Sequence, residues 1–158
     1  MEITLRPYHP EDQEILFSVY ADTRRGEVSA WGWNPAQQDA FLRMQFMAQK
    51  RWYDDAYANA DHQIICRGGQ PAGRILVQRD ADCIRLIDIA LLGEYRGQGI
   101  GSFLLQALLE ESAQRVVPLR LQVHRSNTGA RRLYTRLGFV QTGEDDVYCQ
   151  MERSPKLD

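Results

Sequence analysis

Residues 95–105, Tyr95-Arg96-Gly97-Gln98-Gly99-Ile100-Gly101-Ser102-Phe103-Leu104-Leu105, carry three glycines at alternating positions. They fall where one periodicity gives way to another. Before them the apolar run Leu86-Ile87-Asp88-Ile89-Ala90-Leu91-Leu92 reads as a strand, and after them apolar residues recur at helical spacing. A strand, a glycine turn and a helix N-terminus in that order make an anion site. The first N–H groups of the helix lack partners within it, and the helix dipole adds partial positive charge. Glycine suits such a turn because a Cβ holds a phosphate away from the N–H groups, and because some positions need a positive φ. A turn that merely joins strand to helix is the other reading of the same residues.

Nucleotide fingerprints fit this stretch poorly. The dinucleotide pattern G-x-G-x-x-G meets Ser102 when counted from Gly97 and Leu104 when counted from Gly99. After the next strand, where an acid would hold a ribose, stands Arg120. A Walker loop needs Gly-Lys followed by Ser or Thr, and neither Lys50 nor Lys156 follows a glycine.

The pattern Arg96-x-x-Gly99-x-Gly101 after a strand resembles the acyl-CoA loop of the GCN5-related N-acetyltransferase (GNAT) family, Q/R-x-x-G-x-G/A. A second signature of that family, N-x-x-A-x-x-L-Y-x-x-x-G-F, is matched at every named position by Asn127, Ala130, Leu133, Tyr134, Gly138 and Phe139. The joint match covers roughly residues 83–140 and leaves room between the motifs for one helix and one strand.

The resemblance implies an acetyl-CoA-dependent N-acetyltransferase that works by direct attack in a ternary complex. Its acceptor would be a primary amine of a small molecule or of a protein or peptide. It further implies that Ile89 and Leu91 offer main-chain groups to the pantetheine arm. N–H groups from Arg96, Gly97, Gln98, Gly99, Gly101 and Ser102 would cradle the diphosphate. Asn127 would bind the pantetheine amide, a role compatible with capping the following helix. Tyr134 would protonate the leaving thiolate, since a phenol has the reach and one O–H donor. Arg131 either reaches the adenosine end or sits on a solvated helix face.

The base is less defined. Asp88 interrupts an otherwise apolar strand running into the site and shares a face with Ala90. It either accepts the amine's proton or pairs with an arginine such as Arg74 or Arg120. His124, Glu94 and an ordered water chain are the other candidates. In the family the acceptor pocket draws on the first two helices and their connection, which here contain Trp31, Trp33, Trp52, Tyr53, Asp54, Asp55 and Tyr57. Aromatics beside acids suit a cation, and they equally suit helix packing. A non-catalytic acyl-CoA-binding regulatory module on the same fold is the rival reading.

These residues need a scaffold, and 158 residues with 44% hydrophobic and 25% charged content suffice for one domain, read as 1–153 with a charged tail 154–158. A net charge of −2 gives no field that favours nucleic acid or an anionic membrane, and no run approaches a membrane span. The three cysteines, Cys66, Cys83 and Cys149, form no C-x-x-C, lie in strand-like stretches and point to a reducing, cytoplasmic setting. His9, His62 and His124 lack metal-ligand spacing, so no metal is expected.

Ile3-Thr4-Leu5 reads as an opening strand, and His9-Pro10-Glu11-Asp12 as a helix start. Thr23 to Gly32 reads as a loop, Asn34-Pro35 as a second helix start, and Asp54 to His62 as a loop. Gln63–Arg67 and Ala72–Arg79 flank a glycine turn as a hairpin. The helix after the glycine loop puts Ile100, Leu104, Leu105, Leu108 and Leu109 on one face, and Val117-Pro118 ends it. Leu119, Leu121 and Val123 form a two-faced strand, Ala130, Leu133 and Leu137 the buried face of a last helix stopped by Gly138, and Val147, Cys149 and Met151 a closing strand. The expected fold is α/β (α+β): the acyl-CoA N-acyltransferase fold, with a mixed, mostly antiparallel twisted sheet flanked by about four helices in the order β-α-α-β-β-β-α-β-α-β. The last strand could serve a homodimer, although Glu144-Asp145-Asp146 before it resists close approach of two copies, so monomer and homodimer both stay open.

Overall fold

The computed structural model describes residues 2–155, so most of the charged tail, 156–158, lies outside the described residues. Seven strands and four α-helices follow in the order β1 (Ile3–Pro7), α1 (Gln13–Ser29), α2 (Pro35–Ala56), β2 (Asp61–Arg67), β3 (Gln70–Arg79), β4 (Ile84–Leu91), α3 (Ile100–Arg115), β5 (Leu119–His124), α4 (Thr128–Arg136), β6 (Val140–Glu144) and β7 (Tyr148–Arg153). The strands form a mixed sheet in the order β1-β2-β3-β4-β5-β7-β6. β4 and β5 run parallel, while the β1–β2, β5–β7 and β6–β7 pairs are antiparallel.

Two compact units divide the chain. One holds the residues up to Leu76 together with Asp88–Ile100, and the other holds Val77–Ile87 together with the residues from Gly101.

In the first unit, α1 begins where Asp12 accepts two 2.8 Å hydrogen bonds from Arg6 and a third from the His9 N–H at 2.9 Å. The Arg6 guanidinium holds this carboxyl down to about 2, so the pair stays charged at neutral pH. α1 then runs on to Ser29, through most of the expected 23–32 loop. A mid-helix glycine costs about 1 kcal/mol. Burial of Val28 among Leu16, Phe17, Leu42 and Phe46 outweighs that cost at Gly26. Asn34 caps α2 by accepting from the Gln37 N–H at 2.8 Å while the Asn34 N–H donates to Gln37 Oε1 at 3.1 Å, with Pro35 at the first helical position. α2 continues to Ala56 and β2 starts at Asp61, which shortens the expected 54–62 loop. Gly68 and Gly69, with φ of 57° and 81°, make the two-residue hairpin between β2 and β3.

Gly73 is fixed by crowding. A Cβ built on it meets the Ala90 carbonyl oxygen at 2.0 Å and the Leu91 Cα at 2.9 Å, both backbone atoms of β4. Gly73→Ala therefore displaces β4 beside its C-terminal end. We expect a loss of about 1–3 kcal/mol, read as a lower denaturant midpoint at unchanged slope.

In the second unit, β4 and β5 register as Ile84–Leu119, Arg85–Arg120 and Leu86–Leu121. Leu104, Leu105, Leu108 and Leu109 of α3 are buried as predicted, as is Ile100. Gly138, at φ 96°, ends α4. Two readings change here. Ala130, Leu133 and Leu137 are half-buried rather than buried. β6 is a strand that hydrophobic pattern did not reveal, because it is an exposed edge whose pairing with β7 comes from the backbone.

Candidate active site

The glycine turn is built in layers. β4 delivers the chain to Leu92, whose N–H donates to the Ala72 carbonyl at 2.8 Å. A single 3-10 turn, Gly93–Tyr95, follows, and the Gly93 N–H donates to Asp22 Oδ2 of α1 at 3.0 Å. Arg96 closes the turn twice: its N–H donates to Gly93 O at 3.2 Å and its Nε to Leu91 O at 3.1 Å. The Arg96 N–H and the Leu91 carbonyl are thus engaged within the loop. Gln98 Nε2 donates to Glu94 O at 2.9 Å.

Gly97 and Gly99 have φ of 74° and 84°, so backbone conformation alone explains them. Gly101, the second residue of α3, is different. Its φ is not positive, and a Cβ added there meets nothing within 4 Å. Neither conformation nor packing accounts for a glycine in this first helical turn. A Cβ added at Gly97 or at Gly99 likewise meets nothing within 4 Å, and the first N–H groups of an α-helix have no intrahelical partners. A cradle that a side chain would fill fits a diphosphate.

Asp88 lies on β4 one residue before Ile89. Its Oδ2 accepts from Arg74 Nε of β3 at 2.8 Å. Arg74 is only 7% exposed, donates from Nη2 to Gln49 Oε1 at 3.0 Å, and holds its guanidinium 5.4 Å from the Tyr53 ring. Of the two arginines open as partners, Arg74 is the one the structure pairs with Asp88. Arg120 instead meets Glu152 at 2.6 Å. In the first unit, Asp88, Ile89, Leu91 and Arg96–Gly99 therefore lie along one continuous segment.

In the second unit, Asn127 caps α4, its Oδ1 accepting from the Ala130 N–H at 3.1 Å. The carboxamide NH2 group is a second polar handle. Tyr134 is half-buried, its ring 5.5 Å from Phe139, and its carbonyl accepts from the Phe139 N–H at 3.0 Å. Arg131 donates to the Arg125 carbonyl at 3.1 Å. His124 Nδ1 lies 2.6 Å from Ser126 Oγ, and its ring stands edge-on to Tyr148. Ser102 follows Gly101 in α3, and Glu94 is an exposed residue of the 3-10 turn.

The tryptophans and tyrosines expected near the acceptor fall in two separate clusters. Trp31, Trp33 and Phe41 pack edge-to-face at 5.3–5.4 Å. Trp52, Tyr53 and Tyr57 pack at 5.4–6.4 Å.

Two residues hold positions that the sequence did not reveal. Asp22 pins the glycine turn from 71 positions away, a separation no local pattern can signal. His62 stacks on Tyr8 at 4.5 Å and 11°, and its Nε2 is buried with no hydrogen-bond partner among the described residues. Burial, aided by the nearby Arg74 charge, pushes its pKa down to about 4, so the ring is neutral at pH 7.

Residues 15–139 match the family model described as the acetyltransferase (GNAT) family. The chain is similar to the [ribosomal protein bS18]-alanine N-acetyltransferase of Escherichia coli K12, 37% identical over 76 residues, which is 48% of this chain and 51% of that protein. The chain thus spans about half the length of the curated relatives it matches. Among solved structures, it resembles the PaiA N-acetyltransferase of Thermoplasma acidophilum in complex with coenzyme A. That match has a TM-score of 0.69 and 21% identity, and covers 98% of this chain and 99% of the other. The ribosomal-protein-S18-alanine N-acetyltransferase structure from Escherichia coli matches with a TM-score of 0.65 and 20% identity, over 99% and 96% of the two chains. No helix among the described residues is long and apolar enough to cross a membrane.

Proposed function

The chain belongs to the acetyltransferase (GNAT) family, and from that premise we propose that it moves an acetyl group from acetyl-CoA to a primary amine by direct attack in a ternary complex. The observation that carries this reading is Gly101, a glycine the fold does not require, at the mouth of a helix N-terminus. Acetyl-CoA supplies the acetyl group already activated as a thioester.

The chain's own residues hold and move protons. N–H groups from Gly97 to Ser102 bind the diphosphate, with the α3 dipole behind them. Main-chain groups of Ile89 and Leu91, other than the Leu91 carbonyl that Arg96 engages, align the pantetheine arm as a neighbouring strand would be aligned. Asn127 offers its carboxamide N–H to the same arm. The Tyr134 O–H donates its proton to the departing sulfur. Asp88, oriented by Arg74, takes the proton the amine gives up, directly or through water. We assign these roles to one acetyltransferase domain, residues 1–153, and place it in the cytoplasm, where its three buried free thiols stay reduced.

The bS18-alanine relatives make an alanine α-amine at a protein N-terminus the first acceptor to try. The test follows thiol release from acetyl-CoA with a panel of alanine-headed peptides, free amino acids and polyamines. Release that depends on one amine class, with the acetylated product seen by mass spectrometry, supports the reading. Acetyl-CoA binding with no release for any amine would leave the regulatory module in its place.

A further inference from the structure

α4 and β6 border an open groove of about 830 Å³ that lies wholly in the second unit and that no step of the proposed transfer uses. Arg132, Thr135 and Arg136 stand along its α4 side, and Val140 opens β6 on the other. Phe139 and Met151 close the bottom and are buried, so Val140, which is exposed, is the apolar side chain an occupant meets. The aliphatic stems of the two arginines extend that apolar surface. At helical spacing Thr128, Arg132 and Thr135 share one face of α4, while Ala130 and Tyr134 share another.

Charge in this groove is unmatched. Arg132 and Arg136 are exposed and make no side-chain hydrogen bond or ion pair among the described residues. Arg120 and Arg125 of the same unit, by contrast, each meet a glutamate. The two unpaired arginines stand one helical turn apart, so both guanidiniums reach the same side of an occupant. α4 carries no acid of its own. The main chain beside them is open as well. β6 ends the sheet, bonded to β7 on one side and to no strand on the other among the described residues. An open edge strand beside a helix is the arrangement in which an extended peptide adds to a sheet. Its main chain bonds the edge, and alternate side chains enter the groove.

We propose that the groove between α4 and β6 binds an extended peptide segment of another protein, with acidic and apolar side chains among those that face the groove. The peptide's main chain continues the sheet at Val140 and Gln141, before the irregularity in β6 between Gln141 and Gly143. Its groove-facing carboxylates meet Arg132 and Arg136, and its groove-facing apolar side chains pack on Val140. The same irregularity breaks the straight ladder that two β6 edges would need to pair, which favours a short peptide over a second copy of this chain. The proposal does not rest on the transfer reading, because it uses no residue assigned a role in the transfer.

The probe is acetyl-Glu-Thr-Val-Thr-Glu-Thr-Val-amide, in which Glu and Val alternate along one face. It is compared with a version carrying Gln for Glu, with a version N-methylated along its main chain, and with laurate, an apolar acid that has no main chain. Backbone amides of ¹⁵N-labelled protein are followed by NMR, and affinities by calorimetry. The acidic peptide should shift the Val140 and Gln141 amides and bind about fivefold tighter than the Gln version, the worth of two exposed ion pairs. Its affinity should fall as salt rises, and N-methylation should weaken it several-fold. In the double variant Arg132→Gln, Arg136→Gln the preference for Glu over Gln should vanish. The proposal is overturned if the acidic peptide leaves the β6 amides of the wild type in place, or if the Gln and N-methylated versions bind as tightly. It is equally overturned if laurate alone occupies the groove, or if the β6 amides shift with protein concentration and not with peptide, as for a face that pairs two copies. The wild-type titrations decide the matter even where the double variant does not fold.

Discussion

Tyr134→Phe should lower kcat for acetyl transfer by roughly 10²–10⁴-fold, the usual worth of a positioned general acid, while acetyl-CoA affinity barely changes. The substitution keeps the ring, and with it the 5.5 Å contact to Phe139 and the main-chain bond that closes α4. Only the O–H is lost. An interaction made only as the sulfur departs shows in kcat and in kcat/KM equally, and leaves ground-state binding alone. The pH–rate profile adds a second readout, since the limb reporting an acid that must stay protonated should disappear from the variant. A structural tyrosine gives the opposite pattern, with a lower melting temperature and kcat near that of the wild type. Steady-state kinetics, calorimetric affinity and a thermal melt on one preparation separate the two.

The glycine turn between β4 and α3 was legible in the sequence because its cause is local. Gly97 and Gly99 occupy conformations that other residues resist, and the apolar face of α3 follows from its own periodicity. The Gly68-Gly69 hairpin was readable for the same reason. What escaped was set by partners far along the chain. Hydrophobic alternation missed β6, since an edge strand with Val140 62% exposed needs only β7's backbone. The stretch from Thr23 to Gly32 reads as a loop in sequence, and the core around Val28 carries α1 through Gly26 to Ser29. The arginine partner of Asp88 stayed open until β3 placed Arg74 beside it, and the bond from Gly93 to Asp22 joins residues 71 apart. Gly101 divides between the two cases. The motif named it, and the empty space where its Cβ would sit shows that neither the turn's conformation nor packing requires a glycine there.

That distinction supplies the second large effect. Gly101→Glu puts a side chain and a negative charge in front of the cradle without straining the backbone, whereas a change at Gly97 or Gly99 disturbs a positive φ. In the first turn of α3 a glutamate is also favourable to the fold. It replaces a glycine that costs about 1 kcal/mol in a helix, and its charge at the N-terminus adds about 0.3–1 kcal/mol. Stability and ligand affinity are therefore expected to move in opposite directions, a combination that misfolding cannot produce.

The measurement that bears most directly on the central claim is calorimetric titration of acetyl-CoA into the wild type and Gly101→Glu, with a melt of each. The account predicts roughly micromolar binding by the wild type, about −8 kcal/mol. It predicts loss of nearly all of that binding in the variant, with a melting temperature equal to or above the wild type's. Wild-type protein that takes up no acetyl-CoA, or a variant that binds it as tightly, would contradict the account and leave the glycine turn as a connection between strand and helix.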